Sequence, residues 1–390
     1  MNDMKQEAIF DYPVFDLGFR AFFMLAGLSA LMLLLVWNAI YKGELTPLNY
    51  FAAVDWHAHE MLVGYSSAVI AGFLLTAVQN WTGQPTTTNS QLGGLCILWL
   101  YGRVLPFYAG LLPDILIAAV DFAFLPALAY QLSKPIIRTQ NKKSMVFILL
   151  LALMAAANGL IHLEILGLQE HSARLGLQLL VAIIITMILI VAGRVFPFFT
   201  ERGLSGTLAI RSPVLDVSSV ASAALVFVLQ LSGISGFLLA ATAVVAALIN
   251  VRRVSGWYVQ RVWYVPLLWI LYIGYGWIIL GLGLTALSAY GAVSESLALH
   301  AYTVGGIGVL TIGMMARVSL GHTGRALKAS NAMAVAFVLI NVSAFIRVLL
   351  PMAFPDWYGQ LIYVSTLCWL AAFSLFMLTY APILTTPRND

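Results

Sequence analysis

Apolar stretches recur along the chain from residue 20 to residue 380, separated by short polar breaks. An α-helix rises 1.5 Å per residue, so about 20 apolar residues cross the hydrocarbon core of a bilayer. The pattern predicts twelve spans, at 20–42, 58–79, 92–109, 114–132, 144–166, 175–197, 213–231, 234–250, 262–284, 299–318, 331–350 and 360–380. The tightest turns fall between 109 and 114 and between 231 and 234. The expected fold is all-α: a polytopic membrane protein of about twelve transmembrane helices, forming a single integral membrane domain over 1–390.

Composition supports this. Only 9% of residues are charged and 61% are apolar, whereas soluble domains carry about 25% charged residues. Charge placement then sets an orientation. With the N-terminus inside, fourteen of the twenty Lys and Arg fall in cytoplasmic segments and only Lys42 and Arg174 in outer loops. That is the positive-inside bias, and it places both termini in the cytoplasm. The net charge of +4 then reflects orientation, and no nucleic-acid partner is expected. Residues 1–10 lack a basic n-region, and no small-residue cleavage site follows the first span, so no cleavable signal is expected. Cys96 and Cys368 lie inside apolar spans and form no CxxC metal motif.

An internal repeat is visible. Sliding 59–83 onto 300–324 superposes His59 on His300, Val63 on Val304, Gly64 on Gly305, Gly72 on Gly313, Thr82 on Thr323 and Gly83 on Gly324. Downstream, Gly102-Arg103-Val104-Leu105-Pro106 resembles Ile346-Arg347-Val348-Leu349-Leu350-Pro351, and span 6 ends similarly at Gly193-Arg194-Val195-Phe196-Pro197. Spans 2, 6 and 10 are spaced by four, which suits a three-fold pseudo-repeat of four-helix arcs.

Histidines carry the candidate chemistry, because imidazole is a common ligand of haem iron and copper. Five of the six fall at the outer edge of the predicted spans: His57, His59, His162, His171 and His300. Asp55 suits a helix N-cap, which puts His57 and His59 in the first turn of span 2. Residues two apart point about 200° from one another, so the two rings serve adjacent centres, or one centre and one outer contact. Headgroup-bonded interfacial imidazoles are the plain alternative. His162 and His300 sit at the same expected depth as His59; His171 lies in a polar loop and reads as solvated. His322 lies 22 residues beyond His300, roughly 33 Å along a helix, so it belongs to another site. Around it, Arg317 and Arg325 suit an anion such as haem propionates, or His322 simply caps a helix C-terminus.

Charged residues inside spans are costly and by default mark function. Arg103 and Asp121 stand nine residues either side of Leu112, the tip of the third hairpin turn, and are expected to form an internal ion pair. Arg194 and Arg347 have no evident partner in the sequence. Glu60 and Glu164 share the histidine layer and suit proton delivery or metal ligation. No Walker loop, dinucleotide fingerprint, HExxH or GxSxG motif is present.

Taken in order, Phe19-Arg20-Ala21-Phe22-Phe23, Trp56-His57-Ala58-His59-Glu60-Met61, Asn80-Trp81-Thr82-Gly83, Gly193-Arg194-Val195-Phe196-Pro197-Phe198-Phe199 and Gly321-His322-Thr323-Gly324-Arg325 resemble the NnrS family along the whole chain. The resemblance implies a bacterial inner-membrane protein of about twelve spans, associated with haem and copper, in denitrification and nitrosative-stress defence. Nitric oxide is then the small molecule concerned. By motif, His57, His59, His300 and His322 match the characteristic histidines, with His162 beside them. The helix number and the histidines in spans 2 and 10 also resemble haem-copper oxidases. Span 6, however, carries no histidine, and no His-His pair follows it, so a copper site of the oxidase type is absent.

Two functions follow as expectations. The first is a membrane protein with one or two haem b groups and possible copper, binding and reducing nitric oxide as an oxidoreductase. In it His57, His59, His162 and His300 would be metal ligands. His59, His300, His322, Arg194, Arg317 and Arg325 would hold cofactor, while Glu60 and Glu164 would move protons. A quinol or a periplasmic carrier would donate electrons. The second is a transporter or handling protein for haem, copper or a metal-nitrosyl species, without redox catalysis.

Overall fold

The computed structural model describes residues 10–389. The expectations placed on residues 1–9, Lys5 and most of the unsignalled N-terminus included, lie outside them. Among the described residues twelve long helices account for the architecture: α1 Gly18–Tyr41, α2 Ala53–Thr82, α3 Asn89–Val104, α4 Asp114–Arg138, α5 Lys142–Ile165, α6 Ser172–Gly203, α7 Pro213–Leu231, α8 Phe237–Ser255, α9 Pro266–Ser288, α10 Glu295–His322, α11 Asn331–Ala353 and α12 Pro355–Thr385. Eleven are long and apolar enough to cross a membrane. The third, α3, has 16 residues and hands over to a 3₁₀ turn at Leu105–Tyr108, because Pro106 has no N–H to continue the α ladder. The chain is a multi-pass membrane protein. Large apolar side chains such as Met32, Leu35 and Val217 stand exposed along these helices, as suits a lipid-facing surface.

Helix ends follow local chemistry. Thr88 and Gln91 form a reciprocal capping box at the start of α3. Ser212, Ser294 and Ser330 cap α7, α10 and α11 through their hydroxyls. Asp55, expected as an N-cap, is instead the third residue of α2, which begins after Ala52. The turn expected at 231–234 is longer, since α8 begins only at Phe237.

Two helices depart from regular α geometry at matching places. In α2 a π-helical segment, Glu60–Ser66, begins immediately after His59. In α10 another, Ala301–Gly308, begins immediately after His300. The i−5 spacing is visible where the Ser67 backbone N–H donates to the Leu62 carbonyl. Such widened turns are rare in helices and concentrate at functional sites.

The chain divides into two compact units. The first holds the residues up to Leu177 with Val318–Arg325 and the C-terminus from Met377; the second holds Gln178–Arg317 and Ala326–Phe376. In the first, α1 packs along α2, and α4 packs against α3 and α5. Gly72 of α2 lets Phe22 and Phe23 of α1 approach so closely that a Cβ there would lie 2.8 Å from the Phe23 ring. In the second unit α7, α8, α9 and α10 pack in sequence. There Gly313 of α10 plays the same part against α9, where a Cβ would lie 2.8 Å from Ile270. Small residues at such contacts allow close backbone approach where water supplies no driving force.

Candidate metal centre

A cluster of polar side chains lies buried in the first unit, drawn from four helices and the segment before α2. His59, Glu60, Asp121, Asn158 and His162 are all at most 4% exposed. Burial of so many polar groups among apolar helices requires each to find a partner.

The geometry is closely connected. His59 Nδ1 faces Glu60 Oε1 at 3.1 Å. On its other side, His59 Nε2 faces Asp121 Oδ2 at 3.2 Å and Asn158 Oδ1 at 3.0 Å. His162 Nε2 meets the same Asp121 oxygen at 2.9 Å, while its Nδ1 meets the Tyr50 hydroxyl at 3.2 Å. The Asn158 amide donates to Asp121 Oδ2 at 2.9 Å. That bond fixes the amide orientation and leaves its oxygen toward His59. Arg103 closes the cluster, donating to Glu60 Oε1 at 2.7 Å and pairing with Asp121 Oδ1. Phe51 stacks on the His59 ring at 4.3 Å between centroids. Tyr50 lies outside the spans; burial and then the Asp114 carboxylate push its phenol up, so the hydroxyl keeps its proton.

Each residue has a local reason to be there. Antiparallel α3 and α4 bring Arg103 and Asp121 to one depth, and the expected ion pair forms. Asn158 and His162 are four apart on α5 and so share a face. His59 closes the regular part of α2, and the π segment that follows carries Glu60.

Charge decides what the cluster can hold. Two carboxylates and one guanidinium leave a net charge of −1 when both imidazoles are neutral. All the side-chain atoms bonded to His59 are oxygens that accept: Oε1 on one nitrogen, Oδ2 and the Asn158 amide oxygen on the other. A neutral imidazole has only one N–H. One more positive charge is therefore called for, a second proton on His59 or a metal ion between the rings and Asp121. The donor set suits an ion. One ligand atom each from His59, Asp121 and His162 lie within 4.8 Å of one another. Metal–nitrogen and metal–oxygen bonds near 2.1 Å place neighbouring ligand atoms roughly 3–3.5 Å apart, and the Nε2 atoms of His59 and His162 lie 3.2 and 2.9 Å from Asp121 Oδ2, close to that spacing.

The other expected site residues have different surroundings. His57, about 200° around α2 from His59, stacks on Trp37 of α1 at 4.4 Å. Glu164 accepts the Ala173 backbone N–H at 2.7 Å and so secures the start of α6. His322 packs near Phe19, and Arg325 donates to the Thr323 carbonyl and the Thr386 hydroxyl. Arg194, Arg317 and His300 belong to the second unit. There Arg317 lies over the Phe199 ring at 4.1 Å and donates to its carbonyl. His300 Nδ1 meets the Ser296 carbonyl and hydroxyl, and its Nε2 meets Arg347.

Sequence reasoning brought His59, Glu60 and His162 to one layer but did not see Asp121, Asn158, Tyr50 or Phe51 as their partners. The Asn158–His162 spacing was the available signal for Asn158. Nothing in the sequence pointed to Tyr50 or Phe51, which reach the site from an irregular segment.

No curated protein matches the chain. The family model described as NnrS protein matches residues 13–388, nearly the whole sequence and all twelve helices. The chain belongs to the NnrS protein family.

Proposed function

We propose that this protein holds one redox-active transition metal at His59, Asp121 and His162 and uses it to bind and reduce nitric oxide. It would do so in the bacterial inner membrane, with both termini cytoplasmic. Membership of the NnrS family supports a role in the response to nitric oxide. The observation that carries the metal proposal is the all-acceptor surroundings of His59, which call for one more positive charge. Copper and iron both accept imidazole and carboxylate ligands, and two histidines with one carboxylate is a recurrent set for non-haem iron. When bound, the metal supplies an open position for the gas and an electron.

The protein's own groups do the remaining work. Arg103 binds Asp121 Oδ1, leaving Oδ2 for the metal. The Nδ1–H of His59 donates to Glu60, and that of His162 to the Tyr50 oxygen, which orients both rings with Nε2 inward. Phe51 covers one ring face and keeps water away. Glu60 is the carboxylate placed to move protons: its Oε2 is buried with no hydrogen-bond partner, while Oε1 touches both His59 and Arg103. In the net reaction two nitric oxide molecules take up two electrons and two protons. An N–N bond forms, one N–O bond breaks, and nitrous oxide and water leave. A membrane quinol or a periplasmic carrier supplies the electrons.

Haem b, implied by the family resemblance, does not fit this cluster. Side-chain oxygens stand within 3.2 Å of both His59 nitrogens, so beside neither nitrogen is there space for the broad plane of a porphyrin. A second reading rests on the charge balance: a proton on His59 alone brings the cluster to neutrality, which would make it a proton-holding site without metal.

Metal content separates these readings. The proposal expects about one copper or iron per chain in anaerobically purified protein by plasma mass spectrometry, lost in His162→Ala, with nitric oxide consumption falling at least tenfold. Metal-free protein that consumes nitric oxide would overturn it. Metal that exchanges freely, with no nitric oxide consumed, would favour metal handling instead.

A further inference from the structure

The second unit contains a histidine–arginine pair built like the one in the first, with the charge reversed. His300, like His59, is the last residue before a π segment. Arg347 of α11 reaches it, as Arg103 of α3 reaches the His59–Glu60 pair. The repeat read from the sequence already places Arg103 beside Arg347 and His59 beside His300.

The carboxylates are what differ. Glu60 follows His59, but Ala301 follows His300. Asp121 stands eighteen residues after Arg103; eighteen residues after Arg347 stands Ser365, whose hydroxyl is buried in bonds to Ser343. Among the described residues Arg347 forms no ion pair. Its Nη2 donates to His300 Nε2 at 3.1 Å and to the Tyr358 hydroxyl at 3.1 Å. Its Nη1 is buried and has no hydrogen-bond partner. The histidine is set as an acceptor: its Nδ1–H donates to the Ser296 carbonyl at 2.7 Å, so Nε2 carries the lone pair toward Arg347. A guanidinium held in a membrane-spanning helix without a carboxylate is a charge lacking its counterion.

We propose that Arg347, with His300 and Tyr358, forms a binding site for a single anionic oxygen group in the second unit. Arg347 Nη1 supplies the charge and the open donors, a planar fork suited to an oxyanion. His300 and Tyr358 hold the other arm in place. The same chemistry serves a free oxyanion of nitrite type and the phosphodiester of an anionic lipid headgroup. The inference stands apart from the metal reading, since it uses no residue of the first unit's cluster.

The test uses full-length protein in non-ionic detergent and chloride-free buffer. One arm titrates sodium nitrite by calorimetry; the other reconstitutes the protein into nanodiscs of phosphatidylglycerol or phosphatidylcholine and counts retained lipid by native mass spectrometry. A 1:1 nitrite response at least tenfold weaker in Arg347→Gln identifies a free oxyanion. One retained phosphatidylglycerol, lost in Arg347→Gln, identifies a headgroup. Arg347→Lys keeps the charge without the fork and is expected to bind several-fold more weakly than wild type, which decides the matter if Arg347→Gln does not fold. Absence of a saturable response to either probe, or equal responses in wild type and both variants, overturns the proposal.

Discussion

The His59 and His300 sites share a backbone plan and differ most in their carboxylates. Each histidine ends a regular helical stretch, each is followed by a π segment, and each is reached by an arginine of the next long helix. In the first unit that arginine meets Glu60 and Asp121; in the second it meets the neutral groups of His300 and Tyr358. The difference teaches that in an apolar interior the counter-charges, more than the histidine, determine what a site holds. Two carboxylates around one guanidinium leave room for a cation. A guanidinium with none calls for an anion.

The sharpest way to break this comparison is at Asp121. Its Oδ2 bonds both imidazoles and the Asn158 amide, and its Oδ1 pairs with Arg103. Asp121→Ala leaves the buried Arg103 guanidinium with Glu60 alone and takes away the acceptor that both Nε2 atoms share. A loss of about 3–5 kcal/mol is expected, as when one partner of a buried pair is removed. Thermal unfolding of the purified variant measures it, and a loss under 1 kcal/mol would mean the cluster is not the electrostatic centre of its unit.

Arg103→Met comes next and separates charge from packing. It leaves Glu60 and Asp121 facing each other through His59 with a net charge of −2. Stability is expected to fall by roughly 3 kcal/mol without metal. The added negative charge should then make the variant more responsive to copper or iron than wild type. Metal at a hundredfold excess over its dissociation constant restores about 2.7 kcal/mol. Unfolding with and without metal gives both numbers, and a variant indifferent to metal would count against an ion at His59.

How far the sequence reached follows the same division. Apolar periodicity needs only composition and length, so twelve helices were legible, α3 among them although it spans only 16 residues. The Arg103–Asp121 pair was legible too, because a tight hairpin fixes which residues share a depth. Convergence of α2, α4 and α5 on one point depends on how helices pack, and single-chain periodicity does not encode that. The π segments were hidden because no residue type demands a widened turn. Phe51 and Tyr50 were hidden because irregular segments have no period to read.

A smaller effect is expected at the paired glycines of α2 and α10. A Cβ at Gly72 or Gly313 would sit 2.8 Å from a neighbouring side chain, so Ala at either position forces the preceding helix away at about 1–3 kcal/mol. If the two halves of the repeat share one packing plan, the two losses should agree within about 1 kcal/mol. A large loss at Gly72 with none at Gly313 would show that the resemblance ends at the backbone.

The smallest change is expected where the two sites differ most. Arg347→Met removes hydrogen bonds to His300 and Tyr358, each worth about 1 kcal/mol, yet it also removes a charge that no carboxylate balances. In anion-free detergent these terms oppose one another, so the net change should stay under about 1 kcal/mol in either direction, against roughly 3 kcal/mol for Arg103→Met. Once an anion is supplied the balance shifts. Wild type gains the binding energy and the variant does not, so the gap between them should widen with anion concentration. Unfolding midpoints of both proteins across a nitrite series measure that gap. A gap that is already large without anion and flat across the series would mean that Arg347 is balanced from within the protein, and the contrast between the two sites would fail.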